Sequence, residues 1–332
     1  MDIKQIGEFG FIEQIADRFK SLVPKSIYGI GDDCAIIPAN ENDDFVVSTD
    51  LLIEGVHFLR DKITPFNLGY KSLAVNLSDI AAMGAEPVGA FLSIGIPKDC
   101  SSELLDGFTE GFMALSKKYD TPLLGGDTTK SLRDLMINVT VIGKCPKGKA
   151  LLRSSAKGGD VIAVTGNLGD SAGGLNAILN NIELNSHTKH LIEKHNKPEP
   201  QINEGLWLAK QNGVHAMMDI SDGIASDLNH ILKASEKSAI VDLQKVPVSE
   251  ILSSIAKKYD WNAAELAVSG GEDYELLLTI SGECATSIAQ RFYAEFGKPL
   301  HIIGEVKAPV EKPIQWISGE EKLPDFKGFN HY

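Results

Sequence analysis

Between residues 103 and 119 the apolar positions Leu104, Phe108, Phe112 and Leu115 recur at spacings of four and three, so they share one side of an α-helix. A second stripe, Leu73, Leu77 and Ile80, runs through 68–83, with Gly84 and Pro87 as stop signals. Helical spacing also links Ile12, Ile15, Ala16 and Phe19, then Ile224, Leu228, Ile231 and Leu232. Two further helices are predicted, one carrying Leu175, Ile178 and Leu179 and one over 285–296. Short apolar runs at 34–37, 45–48, 88–96, 135–142, 161–165, 216–220, 274–280 and 301–306 read as strands. Residues 180–203 are polar, hold three histidines and two prolines, and are expected to form a surface excursion.

Strands and helices intermix in both halves, which predicts an α/β class of the α+β kind, with mixed sheets and helices packed on them. A length of 332 residues with 43% hydrophobic content suffices for two cores. The turn at 146–148 is the expected boundary, giving an N-terminal domain at 1–146 and a C-terminal domain at 147–332.

Forty-five acidic against 32 basic residues give a net charge of −13, which argues against nucleic acid as a partner. Cys34, Cys100, Cys145 and Cys284 are far apart and form no CxxC pair, as suits reduced thiols in a cytoplasmic protein. No apolar run approaches the roughly 18 residues of a membrane helix, and the polar start MDIKQIGEFG does not read as a signal peptide.

The candidate chemistry lies in acids that punctuate the apolar runs beside glycine, serine or threonine: GIGDD at 29–33, STD at 48–50, NLSD at 76–79, GGDTT at 125–129, DISDG at 219–223 and GGED at 270–273. Glycine lets the backbone approach closely, while carboxylate and hydroxyl oxygens are what Mg²⁺ accepts together with substrate phosphates. Each motif alone has a plainer reading. DISDG is a cation site or a helix N-cap with a solvated neighbour, and Asp127 is a ligand or part of a β-turn. GNLGDSAGG at 166–174 is an anion site at a helix start, or a turn that Asp170 and Ser171 cap. Asp79 lies mid-helix among apolar neighbours and calls for a cation. His57 is a core or a pocket histidine, and Arg153 a surface ion pair or a phosphate clamp. GKCPKGKA at 143–150 matches a P-loop only up to its lysine; Ala150 and Pro146 rule it out.

Taken in order, GEFGFI, GIGDDCAII, STDLLIEGVHF, YKSLAVNLSDIAAMGAEP, GGDTT, GDSAGGL, DISDGIASDL, SGGEDYEL and the final KGFNHY resemble the thiamine-monophosphate kinase family. That family lies in the superfamily of aminoimidazole ribonucleotide synthetase, selenophosphate synthetase and a hydrogenase maturation factor. The resemblance implies a two-domain subunit of that superfamily's fold, a homodimer built through the N-terminal half, and Mg²⁺-dependent phosphoryl transfer from ATP to thiamine monophosphate. It implies a Mg²⁺ shell of Asp33, Ser48, Thr49, Asp50, Asp79, Asp127, Asp219 and Asp222, with Asp79, Asp127 and Asp222 as the key carboxylates. It further implies nucleotide contacts at Gly126, Asp127, Arg153 and Ser221, and thiamine contacts at His57, Glu272 and either Phe326 or Phe329. Where relatives carry arginines in a basic stretch, this chain has HNKPEPQ at 195–201 with Lys197 and Gln201, and phenylalanines stand for a C-terminal tryptophan. A phosphate monoester, with a second pKa of about 6, is its own nucleophile, so no general base is required. The rivals are ATP-dependent ring closure on an amide and a nucleotide-binding regulator without turnover.

Overall fold

A computed structural model describes residues 3–329, so the last three residues of the KGFNHY motif lie outside the described residues. The chain opens with α1 (Ile3–Phe19), kinked at Gly7, whose φ is +65°. The first half continues with β1 (Ala35–Pro38), β2 (Asp43–Ile53), α2 (Pro65–Ala82), β3 (Glu86–Ile96), α3 (Ser102–Lys118), β4 (Leu123–Lys130) and β5 (Met136–Pro146). Its five strands order as β1-β2-β5-β3-β4, antiparallel except for the β3/β4 pair. Alternate residues of β5, namely Ile137, Val139 and Val141, face inward and are fully buried.

The second half comprises β6 (Asp160–Val164), α4 (Asp170–Leu179), α5 (Ser186–Asn196), α6 (Ile202–Leu208), β7 (Val214–Asp219), α7 (Ile224–Ser235), β8 (Ser238–Asp242), α8 (Glu250–Tyr259), α9 (Ala263–Ser269), β9 (Leu276–Ser281), α10 (Gly282–Phe296), β10 (His301–Lys307), β11 (Ile314–Ser318) and β12 (Glu321–Lys322). Its seven strands order as β12-β11-β8-β10-β6-β9-β7, and only β11/β8 is parallel. Both sheets are mixed, as the pattern predicts.

Helix α2 is the hinge of the architecture, because it packs on β2, β5 and α3 of its own half and on α6 and β7 of the other. Thr64 caps its start and Pro65 occupies the first turn, where no amide partner is lost. Gly69 and Gly111 let α2 and α3 approach backbone to backbone; a Cβ on Gly69 would collide with the Phe108 carbonyl, and one on Gly111 with that of Phe66. This double contact explains why α2 is buried on nearly every side.

Two expectations are corrected. Residues 180–203 are not a surface excursion: they form α5 and the lead into α6, and bury Thr188, Leu191, His195, Asn196 and Gln201. Asn185 caps α5 through a capping box, and Glu199 receives Tyr70, Tyr119 and Lys118 from the first half. Polar groups satisfied inside the fold leave no hydrophobic period to detect. GGDTT is no turn but the middle of β4, an edge strand exposed along its whole length. Strand β8 and helices α8 and α9 arise where the apolar pattern predicts no element.

Candidate active site

A cavity of ≈ 530 Å³ opens where the two halves meet, lined among others by Asp50, Val75, Asp79, Ser221, Asp222 and Glu272. Three elements aim acids at one end of it. Asp33 lies in the loop before β1, Asp79 on the last turns of α2, and Asp219 at the end of β7. One carboxylate oxygen from each lies within 4.8 Å of the other two. Ser48 and Asp50 project from one face of β2: the Ser48 hydroxyl donates to Asp79, and the Asp50 N–H donates to Asn76 Oδ1 at 3.1 Å.

Loss of water and mutual repulsion govern these groups. Burial, reinforced by Asp33, pushes Asp219 up to about 8, and burial lifts Asp50 to about 6. Burial raises Asp79 well above the usual carboxylate range, with Asp50, Asp219 and Asp33 adding to it. Burial also raises Asp33, against the pull of Arg153. Asp32 rises to about 7 through burial and its neighbour Asp33. Arg153 is the one cation in contact with the group among the described residues: its guanidinium bonds Asp33, its Nε stands 3.8 Å from Asp32, and its backbone N–H donates to Asp32 at 3.0 Å. Its ion-pair reading is therefore correct in partner type but not in place, since the pair is largely buried.

Mg²⁺ fits the donor set. Asp33 Oδ2 is buried with no hydrogen-bond partner among the described residues. The Ser78 hydroxyl is likewise unpartnered, near enough to Asp219 to favour its ionised form but outside hydrogen-bonding geometry. Hard oxygen donors left facing one another in this way match an oxygen-seeking divalent ion.

The other end of the cavity centres on Glu272, which has a left-handed backbone (φ +64°) and donates its N–H to the Ser221 carbonyl at 2.7 Å. Burial would raise its pKa, but Lys71 and His195 hold it below the usual value. Lys71 Nζ lies 2.9 Å from Glu272 Oε2, and His195 Nδ1 3.1 Å from the same oxygen. Burial and Lys71 depress His195 to about 4, so its imidazole is neutral. Ser171 Oγ also meets Nδ1 of His195, at 3.1 Å. Serine and acid thus share one ring nitrogen, an arrangement that cannot relay a proton from hydroxyl to carboxylate. His57 lines the cavity and accepts the Ile53 N–H at Nδ1, 3.1 Å away, which fixes its Nε2–H tautomer.

The open alternatives resolve. Asp222 is not an N-cap: Gly223 occupies that position of α7 without a side-chain bond, and Asp222 lines the cavity. The α4 start is not a free anion site, because the chain's own Asp273 accepts the N–H groups of Gly169 and Ser171 at 2.7 and 3.3 Å. Phe329 lines the cavity, whereas Phe326 packs edge-on against Trp316 in the C-terminal core, ring centroids 5.3 Å apart.

Three expected site residues stand apart. Thr49 points to the opposite face of β2 from Ser48 and Asp50, where it bonds Thr140, because strand residues alternate. Gly126 and Asp127 lie on the exposed edge strand β4, outside the acid group. Gly126 has a local cause, since a Cβ there would collide with the Leu92 carbonyl. Sequence reasoning missed Lys71, His195 and Asp227. The clue for Lys71 was a lysine at the centre of an apolar helix, and Asp227, fully buried, accepts the Asp222 N–H at 3.2 Å.

Family profiles match both halves of the chain. The profile for the AIR synthase related protein N-terminal domain matches residues 31–145, and that for its C-terminal domain matches 157–316. The thiamine-monophosphate kinase of Escherichia coli K12 is 40% identical over 328 residues, 98% of each chain. That of Bacillus subtilis is 36% identical over 326 residues, 95% of this chain and 98% of the relative. The chain belongs to the thiamine-monophosphate kinase family. A solved member of that family, described as AaThiL complexed with AMPPCP and TMP, superposes with a TM-score of 0.86 at 32% identity, covering 100% of this chain and 99% of its own. The thiamine-monophosphate kinase structure from Stenotrophomonas maltophilia K279a gives 0.77 at 35% identity over 91% and 95%.

Proposed function

We propose that the chain transfers the γ-phosphoryl group of ATP to the phosphate of thiamine monophosphate, giving thiamine diphosphate and ADP for thiamine diphosphate biosynthesis. One observation carries the reading: Asp33, Asp79 and Asp219 converge beside a cavity that an ionised Glu272 and Phe329 also line. The acceptor's phosphate oxygen forms the new P–O bond while the bond between the γ-phosphorus and the β,γ-bridging oxygen breaks, in line and without a phosphoenzyme. The acceptor phosphate is mostly dianionic at neutral pH, so no proton has to be removed. Repulsion between two anions is the main barrier.

Mg²⁺ held by Asp33, Asp79 and Asp219, with Asp50, Asp222 and Ser48 beside them, would supply the positive charge that screens the phosphates. The protein's own tasks are positional. Arg153 keeps Asp32 and Asp33 in place and, with Ser221, belongs to the nucleotide side. Glu272 opposes the positive thiazolium with an anion, and the Phe329 ring offers an aromatic face to it. His57 presents an N–H from a fixed tautomer.

The exposed edge of β4, with Leu123, Leu124 and the neighbouring Phe91, supports a homodimer built through the first half. Gly126 and Asp127 lie on that same edge, so their nucleotide and metal roles go with the dimer. Dependence on ATP supports a cytoplasmic setting, and no helix among the described residues is long and apolar enough to cross a membrane.

The test is a purified-protein assay with ATP, Mg²⁺ and thiamine monophosphate, with thiamine and formylglycinamidine ribonucleotide as control acceptors. Thiamine diphosphate and ADP in equal amounts, formed from thiamine monophosphate alone, are expected. A cyclised purine precursor, or nucleotide binding without turnover, would overturn the reading.

A further inference from the structure

Lys71 has a side chain only 1% exposed and is among the largest fully buried side chains of the described residues. An ammonium group withdrawn from water is costly unless it is paired, and replacing such a pair with apolar side chains is often neutral or stabilising. Stability alone is therefore a poor reason for a lysine in the middle of α2. Its partner points elsewhere. Nζ bonds Glu272 Oε2 at 2.9 Å, and Glu272 lines the cavity whereas Lys71 does not.

The placement on α2 adds a second observation. Lys71, Val75 and Asp79 follow one another at intervals of four, so they form a single stripe along the helix. Val75 and Asp79 line the cavity. Eight residues of helix span about 12 Å, so the stripe separates the acid end from the Glu272 end by a fixed length. Glu272 has few other restraints of its own. Its backbone is left-handed and tied to Ser221, while its carboxylate bonds Lys71 on one side and meets a neutral His195 on the other.

We infer that Lys71 is a positioning residue, which aims the Glu272 carboxylate at the cationic end of the acceptor, so that one stripe of α2 sets both ends of the site. The inference rests on the kinase reading above. It assigns Lys71 to acceptor affinity and not to the transfer step, which takes place at the other end of the stripe.

The experiment compares wild type, Lys71→Met, Glu272→Gln and the double variant in steady-state assays with thiamine monophosphate, ATP and Mg²⁺. Lys71→Met should raise the KM for thiamine monophosphate at least tenfold, with kcat and the KM for ATP within about twofold of wild type. On the Glu272→Gln background the same change should add nothing, because its effect passes through that carboxylate. Equal rises in both KM values, a fall in kcat alone, or multiplicative effects of the two substitutions would overturn the inference. If Lys71→Met does not fold, the double variant, which leaves no unpaired buried charge, is set against Glu272→Gln: equal acceptor KM supports the role and a further rise refutes it. A wild-type protein that makes no thiamine diphosphate would instead sink the kinase reading itself, before any variant is compared.

Discussion

Arg153 grips Asp33 across 120 residues of chain, and the pair fastens the start of the second half to the loop that carries part of the acid cluster. Both side chains are nearly out of water, 19% and 1% exposed. Arg153→Ala would leave Asp32 and Asp33 without their countercharge. Breaking a buried pair from one side costs about 3–5 kcal/mol. Thermal unfolding of metal-free Arg153→Ala should therefore fall well below wild type at pH 8, and added Mg²⁺ should recover more of the loss than it gives to wild type. An identical deficit with and without Mg²⁺ would separate Arg153 from the cluster.

The raised carboxylates set a pH dependence. Asp50, Asp32 and Asp219 titrate at about 6, 7 and 8 in the folded chain, above the ordinary value of 3.8. Between about pH 4 and 8 the native state consequently binds more protons than the unfolded one, so stability falls as pH rises. Metal-free protein should melt higher at pH 5 than at pH 8. Mg²⁺ competes with those protons, and its stabilising effect should grow across the same window. Calorimetry at both pH values, with and without Mg²⁺, checks both signs; a metal-free midpoint that climbs with pH would contradict them.

Asp79→Asn conserves shape and removes one charge from the group. Turnover should drop at least about 100-fold, the cost of losing a key carboxylate from a metal site. The metal-free midpoint should rise, since repulsion with Asp50, Asp219 and Asp33 is relieved. Loss of turnover together with a lower metal-free midpoint would mean that Asp79 serves packing instead.

The two C-terminal phenylalanines should part company. Phe329 is 52% exposed and lines the cavity, so Phe329→Ala should raise the KM for thiamine monophosphate several-fold and leave the melting temperature near wild type. Phe326→Ala takes a ring off Trp316 and should cost stability, about 1–3 kcal/mol for a partly buried aromatic, with little direct effect on KM. Assay and melt on the same two samples decide it.

A second copy of the chain should cover β4. Leu124→Asp introduces a charge on that edge, where the leucine is 53% exposed. Sedimentation should show wild-type dimers and Leu124→Asp monomers; a wild type that sediments as a monomer would remove the dimer from the proposal.

The stripes Leu73–Leu77–Ile80 and Leu104–Phe108–Phe112–Leu115 announced α2 and α3, because burial of one face leaves a 3.6-residue period that any reader of the chain can count. The glycine-flanked acids announced a cation site for the same local reason: carboxylates beside turns serve few purposes as well. Residues 180–203 were illegible, since α5 buries His195 and Asn196 against polar partners and shows no apolar rhythm. Strand β4 was hidden because an exposed edge has no inward face to mark it.

The sequence by itself determined the elements whose burial leaves an apolar period, the mixed α/β class and the kind of chemistry, since these follow from periodicity, composition and the donor atoms of short motifs. Only the tertiary structure decided which acids meet. Asp33, Asp79 and Asp219 come from a loop, a helix and a strand end that no spacing relates, while Thr49 turned away on a strand whose neighbours turned in. It also decided that Phe329 and not Phe326 faces the cavity, and that Lys71 reaches Glu272 across 201 residues. Proximity between distant segments is a property of packing, and packing is where the linear pattern stops.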